Sequence, residues 1–388
     1  MRYRISPHIE FNKTLDDHEV IITDLKSQAS FYINSTIQTF IQKFETPKTF
    51  KELTAEISKE LCIAANRVKQ IITPFFNYCK YRQFILPEKA DTTVVIQKPL
   101  FAVKDIIDVY SIEKVIDATN DADIYMAADT RSKITVVVKL LKNISIENVI
   151  ALKREYDFLL QLNDTHITPK ALAFHKNKYY CYFVQEFAGG VSLPDFISHN
   201  KHAAKKHIIS IATEIIDAFA IIHNKGIVHG DIHPSNIIVT ADSNIKVLDF
   251  GLALRFGQEK NAGLDFGGAY FFMPPERIKK TTYKKFTKAP DFFSDVFQLG
   301  IVLFKLFYDV NPFNGITWEE LAGEIKEKPI NFPEHSVYGF IVPGTIRDMI
   351  KKCVAKKKYQ RFKDAIAMQA FSLKNSSDAH TIRPAVKI

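Results

Sequence analysis

Three oxygen-bearing side chains, Asp231, Asn236 and Asp249, and one ammonium, Lys139, are of types that phosphoryl transfer can use. That reaction needs a divalent cation on the phosphates, a carboxylate beside the acceptor hydroxyl, and positive charge on the group being moved. Carboxylate and carboxamide oxygens are hard donors, which suits magnesium. Asp231 and Asn236 lie in His229-Gly230-Asp231-Ile232-His233-Pro234-Ser235-Asn236, and Asp249 opens Asp249-Phe250-Gly251. Any one of these residues alone would serve equally well in a turn or a helix cap. It is their order and spacing together that set them apart.

The elements that must position them are legible nearby. Ile208 to Ile222 has the apolar periodicity of a helix, and Ile237-Ile238-Val239 with Ile245-Lys246-Val247 reads as a short hairpin. Thr135 to Leu140 reads as a strand, in which Lys139 is an unusual residue, although lysines also guard edge strands. Leu152 to Leu160 reads as a helix. Glu155 on it is the better partner for Lys139 and Glu147 the weaker one; otherwise Glu155 is a solvent-facing helix charge. Leu159, one turn on, would face the same way, toward Phe250.

The run H-x-D-x-x-x-x-N, hairpin, D-F-G resembles the eukaryotic-like protein-kinase superfamily, and the resemblance covers about Pro99 to Phe371. It implies a bilobal fold with ATP and Mg2+ as cofactors. Asp231 would be the catalytic aspartate, Lys139 would hold the α and β phosphates with Glu155 as its partner, and Asn236 and Asp249 would be the metal ligands. Tyr182 to Gly190 resembles the hinge between lobes, where backbone groups around Glu186 and Ala188 would meet the adenine edge. Gly268 to Glu276 resembles the end of an activation segment, with P-P-E in place of A-P-E. Ser294 to Gly300 resembles the start of the large buried helix, whose Asp295 would hold the catalytic-loop backbone. Arg361 would pair with Glu276. These last features favour a Ser/Thr protein-kinase C-lobe over a small-molecule kinase.

The chain departs from that pattern in three places. No glycine precedes Gly189, so the phosphate-covering loop has none; counting back from Tyr125, its usual positions fall on Asp117, Thr119 and Ala122. Glycine lets backbone N–H groups approach phosphate closely, and Asp121 and Asp123 would add repulsion if they pointed inward. Gly230 replaces the arginine of H-R-D, which predicts activity without an activation-loop phosphate. His233 replaces a lysine, as in aminoglycoside- and choline-type kinases and the kinase-like domains of class III lanthipeptide synthetases. It would contact a phosphate when protonated or bind backbone, and it is counted among the catalytic candidates.

Residues 1–88 read as a separate unit. Val20 to Thr23 and Ser30 to Ile33 are strand-like; Asn34-Ser35-Thr36 offers caps to a helix carrying Ile37, Phe40, Ile41 and Phe44; Thr49 caps a second helix; a third starts near Ala64, with Pro74 expected to kink it or start a new turn. From Tyr3 to Ile85 the pattern resembles the PqqD-like family of RiPP recognition elements, small winged-helix domains that bind the leader of a ribosomally made precursor peptide. The resemblance implies a peptide added as a strand along Ala29, Phe31 and Ile33 and lying against a helix from Arg67 to Tyr81, with Arg67 and Gln70 in contact. An unrelated winged helix packed on the kinase is one alternative. A DNA-reading one using Arg67, Lys69, Lys80 and Arg82 is another.

The expected fold class is therefore α+β, an N-terminal winged-helix-like domain (1–88), a linker (89–98), a kinase-like N-lobe (99–188) and C-lobe (189–375), and a tail (376–388). Composition agrees with a globular chain: 46% hydrophobic and 24% charged residues. The net charge of +9 suits an anionic partner, or simply solubility. Lys279, Lys280, Lys284 and Lys285, and Lys356 to Lys358, would draw in an acidic peptide or form solvated faces. The four cysteines are far apart, which fits a reducing compartment. No signal-peptide pattern opens the chain, and Gln298 and Lys305 interrupt its most apolar run, so the cytoplasm is the expected location. The leading expectation is a Ser/Thr kinase acting on a precursor peptide. A signalling kinase, a pseudokinase scaffold and a small-molecule kinase are the alternatives.

Overall fold

The computed structural model describes residues 1–7, 9–13, 19–24, 29–81, 84–89, 99–119, 121–257, 270–278, 289–313 and 318–376. The amino-terminal unit begins with β1 (Arg2–Ile5), β2 (Ile9–Lys13), β3 (Glu19–Asp24) and β4 (Ala29–Asn34). It continues with α1 (Ser35–Gln42), β5 (Lys48–Thr49), α2 (Phe50–Leu61), α3 (Ala65–Tyr81) and β6 (Ile85–Pro87). The strands form two antiparallel sheets, β5-β1-β6 and β2-β3-β4. This is more strand than the expected strand, strand, three-helix order, because β5 and β6 close on β1 from positions far apart in the chain. An aromatic core fills the unit, with Tyr3, Phe40, Phe44, Phe76 and Phe84 buried.

Thr49 does cap α2, in a reciprocal capping box: its hydroxyl accepts from the Glu52 amide and Glu52 accepts from the Thr49 amide. Helix α3 runs on through Pro74, in keeping with the expected helix from Arg67 to Tyr81. Val68, Ile72, Phe76 and Cys79 are buried along one side of it, before and after the proline, and this anchorage offsets the lost hydrogen bond.

The second unit opens with β7 (Ile106–Ile107), β8 (Tyr110–Ala118), β9 (Ala122–Asp129), β10 (Thr135–Leu141), α4 (Ile146–Gln161), β11 (Ala171–Lys176) and β12 (Cys181–Glu186). Its six strands make one sheet in the order β11-β12-β10-β9-β8-β7. Strand β10 is thus interior, with Lys139 opposite Phe183 on one side and Ile124 on the other. The edge-strand explanation for Lys139 falls away. Helix α4 is capped by Ser145, and its buried side carries Val149, Leu152, Glu155, Phe158 and Leu159.

The rest is mainly helical. It comprises β13 (Val191–Ser192), α5 (Leu193–His199), α6 (Lys205–Asn224), β14 (Ile227–Val228), β15 (Ile237–Val239), β16 (Ile245–Val247), β17 (Leu254–Arg255), α7 (Phe292–Tyr308), α8 (Trp318–Glu327), α9 (Gly344–Cys353) and α10 (Ala365–Ser376). A single large core joins α4 to these helices, and Leu159 and Phe250 both lie in it. Helix α7 is buried along nearly all its length, which is why it reads as continuously apolar. No helix among the described residues is long and apolar enough to cross a membrane. Together these parts have the sheet lobe and helical lobe of a bilobal fold.

Candidate active site

Lys139 reaches from the middle of the sheet to Glu155 on α4, with Nζ 2.8 and 2.7 Å from the two carboxylate oxygens. Both are shielded from solvent, Glu155 most of all. Glu147 sits in the first turn of α4, away from the buried side. Burial alone would lower the Lys139 pKa, but the charges of Glu155 and Asp249 together raise it above its ordinary value. Lys139 Nζ also lies 3.7 Å from Asp249 Oδ1, so the sheet lobe and the helical lobe meet at this ammonium. In turn, Lys139 holds the Asp249 carboxyl below its ordinary range.

Asp249 has φ +59, a strained left-handed conformation for an aspartate, and its Oδ1 accepts from the Gly251 amide at 3.1 Å. The loop carrying Asp231 is tied to it. The Leu248 amide donates to the Asn236 carbonyl at 2.8 Å, and His229 Nε2 donates to the Leu248 carbonyl at 3.1 Å. Asn236 Nδ2 donates to the Asp231 carbonyl at 3.1 Å, which spends the nitrogen end of the carboxamide and leaves its oxygen for another partner.

Below the loop, Asp295 at the start of α7 accepts from the His229 amide at 2.7 Å and the Gly230 amide at 2.9 Å. His223 Nδ1 accepts from the Ala365 amide at 2.9 Å, so its Nε2 carries the proton and donates to Asp295 at 3.1 Å. Gln298 Oε1 accepts from the Ile232 amide at 3.1 Å. The polar residue that interrupts the apolar run of α7 therefore supports the loop. Arg361 makes two bonds to Glu276, at 2.9 and 2.8 Å.

Among the described residues no group of three or more His, Cys, Asp and Glu could hold a metal ion. Magnesium on a nucleotide does not need one: a carboxylate and a carboxamide oxygen, completed by phosphate and water, suffice. Asp249 and the carboxamide oxygen of Asn236 fit that requirement.

Residues 110–373 match the family model for the protein kinase domain. The chain belongs to the protein kinase family. It is 28% identical over 70% of its length to the serine/threonine-protein kinase PrkC of Bacillus subtilis. It is 27% identical over 67% to a probable serine/threonine-protein kinase PknB of Lactococcus lactis. Against an Aurora kinase of Dictyostelium discoideum, identity is 27% over 67% of this chain and 65% of that protein. The chain spans 41% of the length of each of the first two relatives. Residues 110–373 are accordingly a Ser/Thr protein-kinase-like phosphotransferase domain.

Two points left open by the sequence are decided by the structure of this kinase domain. Asp123 does not face the phosphate site. It is fully buried, pairs with Lys142 at 2.8 Å, and accepts from the Leu100 amide and the Tyr125 hydroxyl. Its charge is neutralised inside the sheet lobe. The cluster Lys356 to Lys358 is not an open basic patch. Lys356 donates to the Glu324 and Ile325 carbonyls at the end of α8, Lys358 pairs with Asp291 at 2.8 Å, and only Lys357 is exposed. The other cluster, Lys279 to Lys285, lies outside the described residues.

The turn between β8 and β9 takes an unexpected form. Thr119 Oγ1 accepts from the Asp121 and Ala122 amides, the Thr119 amide donates to the Ala122 carbonyl, and the Ala118 amide donates to Asp117. Amides that a glycine-rich loop would offer to phosphate are here spent on the turn itself. At the hinge, the Glu186 amide donates to the Lys170 carbonyl at 2.9 Å, so only its carbonyl is left for a ligand; Ala188 carries no hydrogen bond among the described residues. His233 stands with Nε2 3.9 Å from Asp231 Oδ2, and burial holds its pKa below the ordinary value against the pull of Asp231.

Sequence reasoning passed over two supports. Arg154 Nη2 donates to the Gly251 carbonyl at 2.8 Å across 97 residues of chain, and nothing local signals it. His223 had a signal: it falls one turn after Phe219 on the buried face of α6, where an imidazole needs polar partners.

Proposed function

We propose that the chain is an ATP- and magnesium-dependent Ser/Thr kinase whose substrate is a peptide, such as a ribosomally made precursor, recruited by residues 1–88. The observation that carries the catalytic part is the junction of lobes at Lys139, with Glu155 behind it and Asp249 beside it. Lys139 would bind the α and β phosphates, and Asp249 and Asn236 would hold the metal, which supplies positive charge to the phosphates when bound. Asp231 would orient the acceptor hydroxyl and take its proton. The Glu186 carbonyl and the Ala188 amide and carbonyl would read the adenine edge. His233, whose neutral form burial favours, would sit beside Asp231 where the family has a permanently charged lysine.

Recruitment rests on the edge of the β2-β3-β4 sheet. Strand β4 is last in the order, so one side of its backbone has no partner strand among the described residues. An edge of this kind takes an extended peptide by main-chain bonding. Of Ala29, Phe31, Ile33 and Gln70 only the backbone is described, while Arg67 on α3 is exposed. Tethering would raise the local substrate concentration to about the millimolar range.

Mass spectrometry of candidate peptides after incubation with the chain, ATP and magnesium tests the reading. A phosphopeptide that is absent with Asp249→Asn supports it. Arg67→Glu should weaken peptide binding while leaving phosphorylation of a generic protein acceptor intact. Peptide binding without any phosphate transfer would favour the scaffold alternative, and DNA binding by Arg67-dependent contacts would favour the DNA-reading one.

A further inference from the structure

The catalytic loop has a glycine where the kinase pattern has an arginine, and the geometry leaves no room for a side chain there. Gly230 has φ +80, and a Cβ on it would lie 2.9 Å from the Leu252 carbonyl oxygen and 2.9 Å from Pro290 Cγ. Its amide is bonded to Asp295, so the loop cannot turn to make space without losing that bond.

A positive charge is nevertheless present. Arg277, directly after Pro274-Pro275-Glu276, is 1% exposed and among the largest fully buried side chains of the described chain. Its Nη1 lies 3.4 Å from the Gly230 carbonyl oxygen, to which it donates. Burial lowers its pKa, and the carboxylates of Asp295, Asp231, Glu276 and Asp291 oppose that shift. A guanidinium taken this far out of water keeps its charge only with anions in its neighbourhood and an acceptor such as the Gly230 carbonyl. Two of them, Asp231 and Asp295, are the proposed proton acceptor and the residue that fixes the loop's amides.

A separate observation comes from the sequence. Residues 250–275, from the D-F-G phenylalanine to the second proline of P-P-E, contain no serine or threonine, and Tyr270 is the one hydroxyl. A switch built on Ser/Thr phosphorylation of this segment has no acceptor.

We propose that Arg277 is a positioning residue that holds the catalytic loop in its working geometry from the end of the activation segment, so that the kinase needs no phosphate on that segment. The polarity of the usual link is inverted. The cation belongs to the segment and its acceptor, the Gly230 carbonyl, to the loop, so the contact needs no phosphate. Arg277 does not touch substrate; it acts through Gly230 and Asp295 on Asp231. The inference rests on the kinase reading.

The test uses the full chain with magnesium, ATP and a generic protein acceptor. Wild-type protein treated with a broad-specificity phosphatase should keep its kcat within about twofold, whereas Arg277→Met should lose about 100-fold in kcat with little change in the KM for ATP, the signature of a misplaced catalytic group. Arg277→Lys should recover part of that loss. Because the methionine variant strips a buried cation from its carboxylates, its fold is checked by melting temperature. Amide exchange at His229 and Gly230 is read in the lysine variant as well. Faster exchange at those two amides, with an unchanged melting temperature, supports positioning. Loss of most wild-type activity on phosphatase treatment overturns the proposal, as does a folded Arg277→Met with normal kcat or a lysine variant with unchanged exchange and kcat. Should the wild type transfer no phosphate to any acceptor, the kinase reading fails, and the exchange measurement still decides the role of Arg277.

Discussion

At the scale of single residues, the site turns on charges that are out of water and must compensate one another. Lys139 is flanked by Glu155 and Asp249, and removing it leaves Glu155 buried without its cation. Lys139→Met should therefore lower phosphotransfer by at least about 100-fold and cost about 3–5 kcal/mol of stability. Glu155→Gln, which keeps the shape, should lose activity with a smaller loss of stability. Steady-state kinetics alongside thermal melts separate the two effects. His233 gives a pH prediction. Its folded pKa is depressed by burial, so its stabilising contribution is full above the unfolded value near ~6.5 and is lost as pH falls through the lower folded value. The melting temperature of the wild type should fall between pH 7 and pH 5 more steeply than that of His233→Gln. Equal slopes would show that His233 is not held neutral.

At the scale of elements, two short hydrogen-bonded devices set local geometry. The capping box at Thr49 closes the first turn of α2, and Thr49→Ala should cost about 1 kcal/mol, visible as faster amide exchange at the start of that helix. The β8–β9 turn is a different case, because Thr119 takes up backbone donors that a phosphate would otherwise use. Thr119→Gly removes the competing hydroxyl and restores the flexibility of a glycine loop. Each recovered hydrogen bond to phosphate is worth about 0.5–1.5 kcal/mol, so the KM for ATP should fall severalfold. A rise would mean that the closed turn itself shapes the phosphate site.

Across the whole molecule, helix α7 is the member to which the catalytic loop and the activation-segment end are both fastened. It supplies Asp295 and Gln298 to the loop, and the Phe293 carbonyl to Arg361, which binds Glu276 in turn. Arg361 is buried and also donates to the Ala355 carbonyl, so it closes the helical lobe from its far end. Arg361→Met removes both guanidinium bonds to Glu276 and should destabilise this lobe by about 3–5 kcal/mol, lowering the melting temperature and, with it, activity. A variant that melts normally but is inactive would move Arg361 from a structural to a direct role.

Local chemistry was readable from the chain alone. The strand carrying Lys139, the hairpin before Asp249, the Thr49 cap and the periodic helices α4 and α6 each depend on residues within a few positions of one another, and short-range sterics and hydrogen bonding decide such features. The choice of Glu155 for Lys139 came with the resemblance to kinases, and helix spacing then placed Leu159 on the same side. Partnerships across long stretches of chain did not follow: Arg154 with Gly251, His223 with Asp295, Asp123 with Lys142 and Arg277 with Gly230. A charged residue's type says that it needs a partner; only packing brings one within reach and removes the water that would otherwise have served.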